Sequence, residues 1–96
     1  MYLTVHNQLT LLHDLLDEQV TFKTVSMNEY KQIKKLVQTI ISNKDMDSDL
    51  LTVLPEIYKY GIKGEIAHSL ADHIEENKTN IQKWLETINR TKLKIG

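Results

Sequence analysis

Cysteine is absent from this chain, proline occurs once and glycine three times in 96 residues. Without cysteine there is no disulfide framework, thiolate zinc site, iron–sulfur cluster or thiol nucleophile. So little glycine and proline leaves scant material for phosphate-cradling loops or for the tight turns of a multi-stranded sheet. No apolar run approaches the roughly 18 residues that a membrane span needs. No signal-peptide pattern opens the chain, so a soluble, cytoplasmic protein without a membrane partner is expected. An excess of either charge is also missing. Lysine and arginine number 12 against 13 acids, a net charge of −1, which provides no overall field to recruit nucleic acid.

What remains is 41% hydrophobic content, arranged with helical periodicity. A chain of this length is expected to form one domain over residues 1–96, with a radius of gyration of about 12–13 Å. Val5, Leu9, Leu12 and Leu16 recur at spacings of four, three and four, which predicts a helix over about 4–18. Gln19–Val25 is richer in β-branched residues and reads as a linker whose Phe22 tucks against the core. Ser26-Met27-Asn28-Glu29 matches a capping box. Tyr30, Ile33, Val37 and Ile40 then carry a helix over 27–42, ending at the Asn43-Lys44 turn.

A third helix over 48–60 follows from Leu50, Leu51, Leu54, Ile57 and Tyr58, with Asp47, Ser48 or Asp49 as its cap. Pro55 is expected to kink or divide it, and Gly61 to end it in a left-handed turn. Beyond Gly64, Ala67, Leu70, Ile74, Asn77, Ile81, Trp84 and Ile88 form a heptad-like seam. Acids crowd the first half of this stretch and bases the second, as a helix dipole favours. Both patterns predict one continuous helix over 65–90; the rival is a break at Asn77-Lys78-Thr79. Continuity would make that helix about 39 Å long against about 24 Å for the second. Its last turns, with Ile81, Trp84, Leu85 and Ile88, would then overhang the bundle. Either a break folds them back or another chain covers them. The fold class is all-α, a four-helix bundle, or five-helix if the last one breaks, with a long C-terminal helix.

Three constellations could carry chemistry. Asp45, Asp47 and Asp49 occupy the first, third and fifth positions of a calcium-loop pattern, and Glu56 the twelfth. Position six, which that loop reserves for glycine, is Leu50, so an aspartate-rich helix cap is expected and the loop is a decoy. His68, Asp72 and Glu76 share a face at spacings of four, as do His13 and Asp17. Bundles do build metal sites from such sets when they face inward. Here the seam turns Asp72 and Glu76 to solvent, which makes a metal site the weaker alternative to surface ion pairing. Lysines at 31, 34 and 35, and the basic stripe from Lys78 to Lys94, are interleaved with acids and read as solvated faces. Of Tyr58 and Tyr60, two apart on a helix, one should pack and the other be exposed.

Gln8-Leu9 with Leu11-Leu12, Glu56-Ile57-Tyr58-Lys59-Tyr60, and Asp72-His73-Ile74 followed by Trp84 together resemble the YtzH-like proteins. The resemblance covers roughly residues 8–88. It implies a small protein of Bacillus-type bacteria, and it carries over no catalytic residue and no cofactor. The apolar helix end that outlasts its neighbours, with a near-zero net charge that does not oppose association, leads to the expectation of a non-enzymatic protein-interaction module that needs no cofactor. It would associate with itself through Ile81, Trp84, Leu85 and Ile88; a small-ligand or metal-binding protein is the alternative.

Overall fold

The computed structural model describes residues 4–22, 27–42 and 47–95. Five helices account for nearly all of them: α1 Val5–Phe22, α2 Met27–Ile41, α3 Ser48–Glu65, α4 Leu70–Glu76 and α5 Lys78–Ile95. The class is all-α, as the periodicity predicts, and the arrangement is a bundle. α1, α2, α3 and α5 pack in a ring, each against the next, with α5 closing onto α1; α4 touches α1, α3 and α5. The radius of gyration is 12.7 Å.

α1 begins where the Thr4 hydroxyl accepts the Asn7 amide at 3.1 Å, an N-cap that satisfies one orphan donor of the first turn. The helix does not stop at Glu18. Gln19 continues the Leu12–Leu16 stripe at the next spacing of three and is wholly buried, so the expected linker is helical through Phe22. Weak local propensity of Val20 and Thr21 yields to that tertiary contact. Phe22 itself is 65% exposed and does not tuck into the core. α2 matches its expected span, with Tyr30, Ile33, Val37 and Ile40 fully buried. Ser26 of the capping box and the Asn43-Lys44 turn lie outside the described residues.

α3 departs most from expectation. It runs unbroken past Pro55 and past Gly61, ending at Glu65. Pro55 removes the amide that would bond the Leu51 carbonyl, but both residues are exposed, so water can serve that carbonyl instead. Gly61 is not a terminator, and neither it nor Gly64 lies at positive φ; both sit on the buried face against α2. A Cβ at Gly61 would lie 2.7 Å from Lys34 Cγ, and one at Gly64 would run into the Tyr30 ring. The glycines let two helices approach closely, and α2–α3 is the most extensive helix pair of the bundle.

The expected continuous helix over 65–90 is divided. Glu65 belongs to α3, and residues 66–69 form a connection. Ser69 caps α4 by accepting the Asp72 amide at 3.2 Å. The second break falls at Asn77, whose side-chain amide donates to the His73 carbonyl at 2.8 Å while its own carbonyl accepts the Ile81 amide at 2.8 Å. A side chain that bonds the backbone locally competes with the regular ladder, and here it turns the chain from α4 into α5. The rival reading of the seam is the one the structure adopts. The overhang disappears, because α5 folds back along α1 and α3.

Candidate functional site

The four side chains expected to meet another copy lie in or against the chain's own core. Ile81 and Ile88 are fully buried, Trp84 nearly so, and Leu85 packs half-buried against the same cluster. The Trp84 ring stands edge-on to Tyr60 at 5.5 Å, and its indole N–H donates to Glu56 Oε1 at 3.1 Å. These residues therefore bind the bundle together and are not presented to a partner. The expectation failed because it followed from the overhang, and the overhang from a continuous helix.

The metal and calcium constellations are not assembled either. His68 lies in the connection before α4, not on a helix, so its spacing to Asp72 and Glu76 no longer defines a shared face; all three are exposed. No group of three or more His, Asp or Glu among the described residues is placed to hold a metal ion. Asp45 lies outside the described residues. Asp47 occupies the cap position of α3 and Asp49 its first turn; Glu56, two turns further on, receives the Trp84 indole. His13 meets Asp14, not Asp17, with Nδ1 3.3 Å from Oδ1.

A buried polar cluster that periodicity did not disclose sits where α1, α2, α3 and α4 meet. The Tyr60 hydroxyl donates to Gln19 Oε1 at 2.5 Å. His73 stacks on the Tyr60 ring, with centroids 4.6 Å apart and planes within 11°, and its Nε2 lies 3.0 Å from the Tyr60 carbonyl. Tyr30 adds edge contacts to both rings at 5.4 and 5.7 Å. Its signal in the sequence was present but slight: Leu70, His73, Ile74 and Asn77 follow the helical period, so a histidine stands on the apolar stripe. Chemically the cluster joins α4 to the bundle. Within it the Tyr30 hydroxyl and Gln19 Nε2 are buried without a hydrogen-bond partner.

Burial pushes the Tyr60 hydroxyl far above its usual value, and the neighbouring Tyr30 adds to the effect. Burial also raises Tyr30, against a smaller opposing contribution from Tyr60. Tyrosine loses its proton on ionising. Above about pH 10 the unfolded chain therefore gives up protons that the folded chain retains. This contribution to stability is full below that pH and falls as pH rises, by up to about 1.4 kcal/mol per unit for Tyr60, with Tyr30 acting in the same direction. Urea midpoints measured from pH 8 to about 11.5 should drop accordingly. In Tyr60→Phe the alkaline slope should be shallower; an unchanged slope would contradict the assignment.

On the outside, two features stand out. At the seam between α2 and α3, Lys34 Nζ pairs with Glu65 Oε1 at 2.6 Å and Gln38 donates to the Tyr58 hydroxyl at 3.1 Å. Of the two tyrosines weighed above, Tyr60 is the packed one and Tyr58 is half-buried. Met27, Lys34, Gln38 and Ile41 repeat at seven, four and three on α2, and Leu51, Tyr58, Ile62 and Glu65 do the same on α3. Equal spacing brings both rows to one outer face. Met27, Ile41, Leu51 and Ile62 are each more than 40% exposed, and Ile66 follows one turn beyond. Lys31, Lys35 and Lys59, all exposed, rim this face. Elsewhere, a cleft of about 620 Å³ between the start of α1 and the end of α5 is lined by His6, Asn89, Lys92 and Leu93.

A family model described as YtzH-like protein matches residues 3–88. The uncharacterized protein YtzH of Bacillus subtilis (strain 168) is 27% identical over 89 residues, covering 93% of this chain and 97% of that protein. No solved structure matches the chain. No helix among the described residues is long and apolar enough to cross a membrane.

Proposed function

The chain belongs to the YtzH-like protein family, and from that premise we propose that it is a non-enzymatic, cytoplasmic protein-interaction module whose docking surface is the outer α2–α3 face. The observation that carries this reading is the row of exposed Met27, Ile41, Leu51 and Ile62 beside a bonded polar centre. Isolated exposed aliphatic residues are ordinary on protein surfaces; apolar residues gathered on one face with a charged rim are the pattern of a binding patch. A non-enzymatic role is supported by where the versatile side chains go. His73, Tyr60 and Gln19 bond one another inside the core. The small-ligand alternative retains one feature in its favour, the cleft beside His6 and Lys92.

The test is site-specific photocrosslinking in bacterial cells producing the full chain. A photoreactive phenylalanine at Ile62 should yield a discrete protein adduct, and the same group at Glu86, exposed on α5, should not. No adduct at Ile62, or equal adducts at both positions, would overturn the assignment of this face.

A further inference from the structure

Resting on that reading, we infer that the partner of the α2–α3 face is a second copy of this chain, which presents the outward side of its α1. Charge points to it. α1 contains Asp14, Asp17 and Glu18 and no lysine or arginine. The α2–α3 face carries Lys31, Lys34, Lys35 and Lys59, with Glu65 as its acid, and that acid is already paired to Lys34. A chain of net charge −1 thus separates an acidic helix from a basic two-helix face, and the two are complementary between copies.

The apolar residues follow the same division. Leu11, Asp14, Glu18 and Phe22 share one side of α1 at spacings of three, four and four. All four are exposed, Leu11 to 41%. That side therefore places two acids between two exposed apolar residues, the complement of a face that combines exposed apolar residues with lysines. Lengths also agree: 18 residues of α1 span about 27 Å and 15 residues of α2 about 22 Å at 1.5 Å per residue. Leu11 and Phe22 can then rest on the exposed Leu51, Ile62 and Met27 of the other copy, while Asp14 and Glu18 meet Lys31 and Lys35.

The two surfaces are different patches of one molecule, so the contact is heterologous. Each added copy still offers one unused face of each kind, and association propagates instead of closing at a dimer. A single helix on a two-helix face covers less than a standard interface, the size class of weak and transient contacts. Screening by salt weakens it, because the charges are exposed.

Sedimentation equilibrium on the full chain tests this. At low salt the mean mass of the wild type should climb above the single-chain 11.2 kDa and continue rising with concentration. Lys31→Glu/Lys35→Glu, with a reversed basic face, should stay at one chain mass, as should Asp14→Lys/Glu18→Lys, with a reversed acidic face. Circular dichroism melts check that these surface variants fold. Mixed in equal amounts, the two should associate again, with a mean mass that rises above one chain as it does for the wild type, because the two reversed surfaces are complementary to each other as well. In that mixture the intact α1 of the first meets the intact α2–α3 face of the second. A wild type that remains at one chain mass at roughly 500 µM overturns the inference, as do variants that associate like the wild type or a mixture that does not pair. A monomeric wild type with a crosslinked adduct of some other protein at Ile62 removes the second copy but leaves the docking face. Absence of any adduct removes both.

Discussion

Replacing Trp84 by alanine is expected to lower the unfolding free energy by about 3–5 kcal/mol, the range for deleting a buried aromatic ring. In a small domain, whose whole stability is typically about 5–15 kcal/mol, that is a severe loss. The physical reason is the space the indole occupies. Trp84 is 2% exposed and edge-packed on Tyr60, within a core that draws on α1, α2, α3 and α5. The neighbours on those helices can close only part of the void. The hydrogen bond to Glu56 is the smaller share, because Glu56 is exposed and its carboxylate can take water in place of the indole N–H. Trp84→Phe separates the two contributions: it keeps much of the volume, loses the bond, and should cost about 1–2 kcal/mol. Urea unfolding at neutral pH gives both values. A loss below about 1 kcal/mol for the alanine variant would mean that Trp84 does not support the core. The same experiment separates the buried role from the interface role that the seam implied. A residue at a contact between copies would, when truncated, change association and leave the isolated fold intact.

How far the fold could be read from the sequence depends on which residues carry two possible meanings. α2 was legible because Tyr30, Ile33, Val37 and Ile40 are apolar, evenly spaced and unambiguous. The last turn of α1 was not, since Gln19 counts as polar until its partner, the Tyr60 hydroxyl 41 residues away, is known. Gly61 and Gly64 stand where a helix could end, and only the Tyr30 ring and the Lys34 stem opposite them show that close packing is their use. The seam through Ile74, Ile81 and Trp84 and the acid-to-base gradient both survive a turn at Asn77, so neither could reveal it. Asn77 itself could have: an asparagine able to bond the carbonyl four residues back is a local competitor of the helix. The candidate interface inherited that error. The buried cluster was hidden for a different reason, because His73 and Gln19 are polar types placed on apolar stripes, and polar types are by default assigned to the surface.

Gly64→Ala is expected to destabilise the protein, although alanine is the better helix former by about 1 kcal/mol at an interior position. The site lies in the last turn of α3, so part of the propensity gain applies and must be set against the packing term. A Cβ there would collide with the edge of the Tyr30 ring. That ring is fully buried and also contacts Tyr60 and His73, so it cannot swing away without disturbing the cluster that joins α4 to the bundle. Inserting a methyl into such a core costs about 1–3 kcal/mol and at times more. With no compliant neighbour the upper end applies, leaving a net loss of about 2 kcal/mol after the helix gain. Gly61→Ala provides the contrast. Its Cβ would meet Lys34 Cγ at 2.7 Å, part of an aliphatic stem that leads to a partly exposed ammonium. That stem can shift by a rotamer change, at some cost to the ion pair with Glu65. The two terms then nearly cancel, and Gly61→Ala should fall within about 0.5 kcal/mol of wild type. Double replacement with Tyr30→Leu tests the cause directly. Removing the ring should abolish most of the Gly64→Ala penalty, giving a coupling of about 1–2 kcal/mol in the mutant cycle, and should leave Gly61→Ala unaffected. Equal costs at the two glycines, or no coupling with Tyr30, would show that helix conformation and not the approach of α2 sets the requirement for glycine at 64.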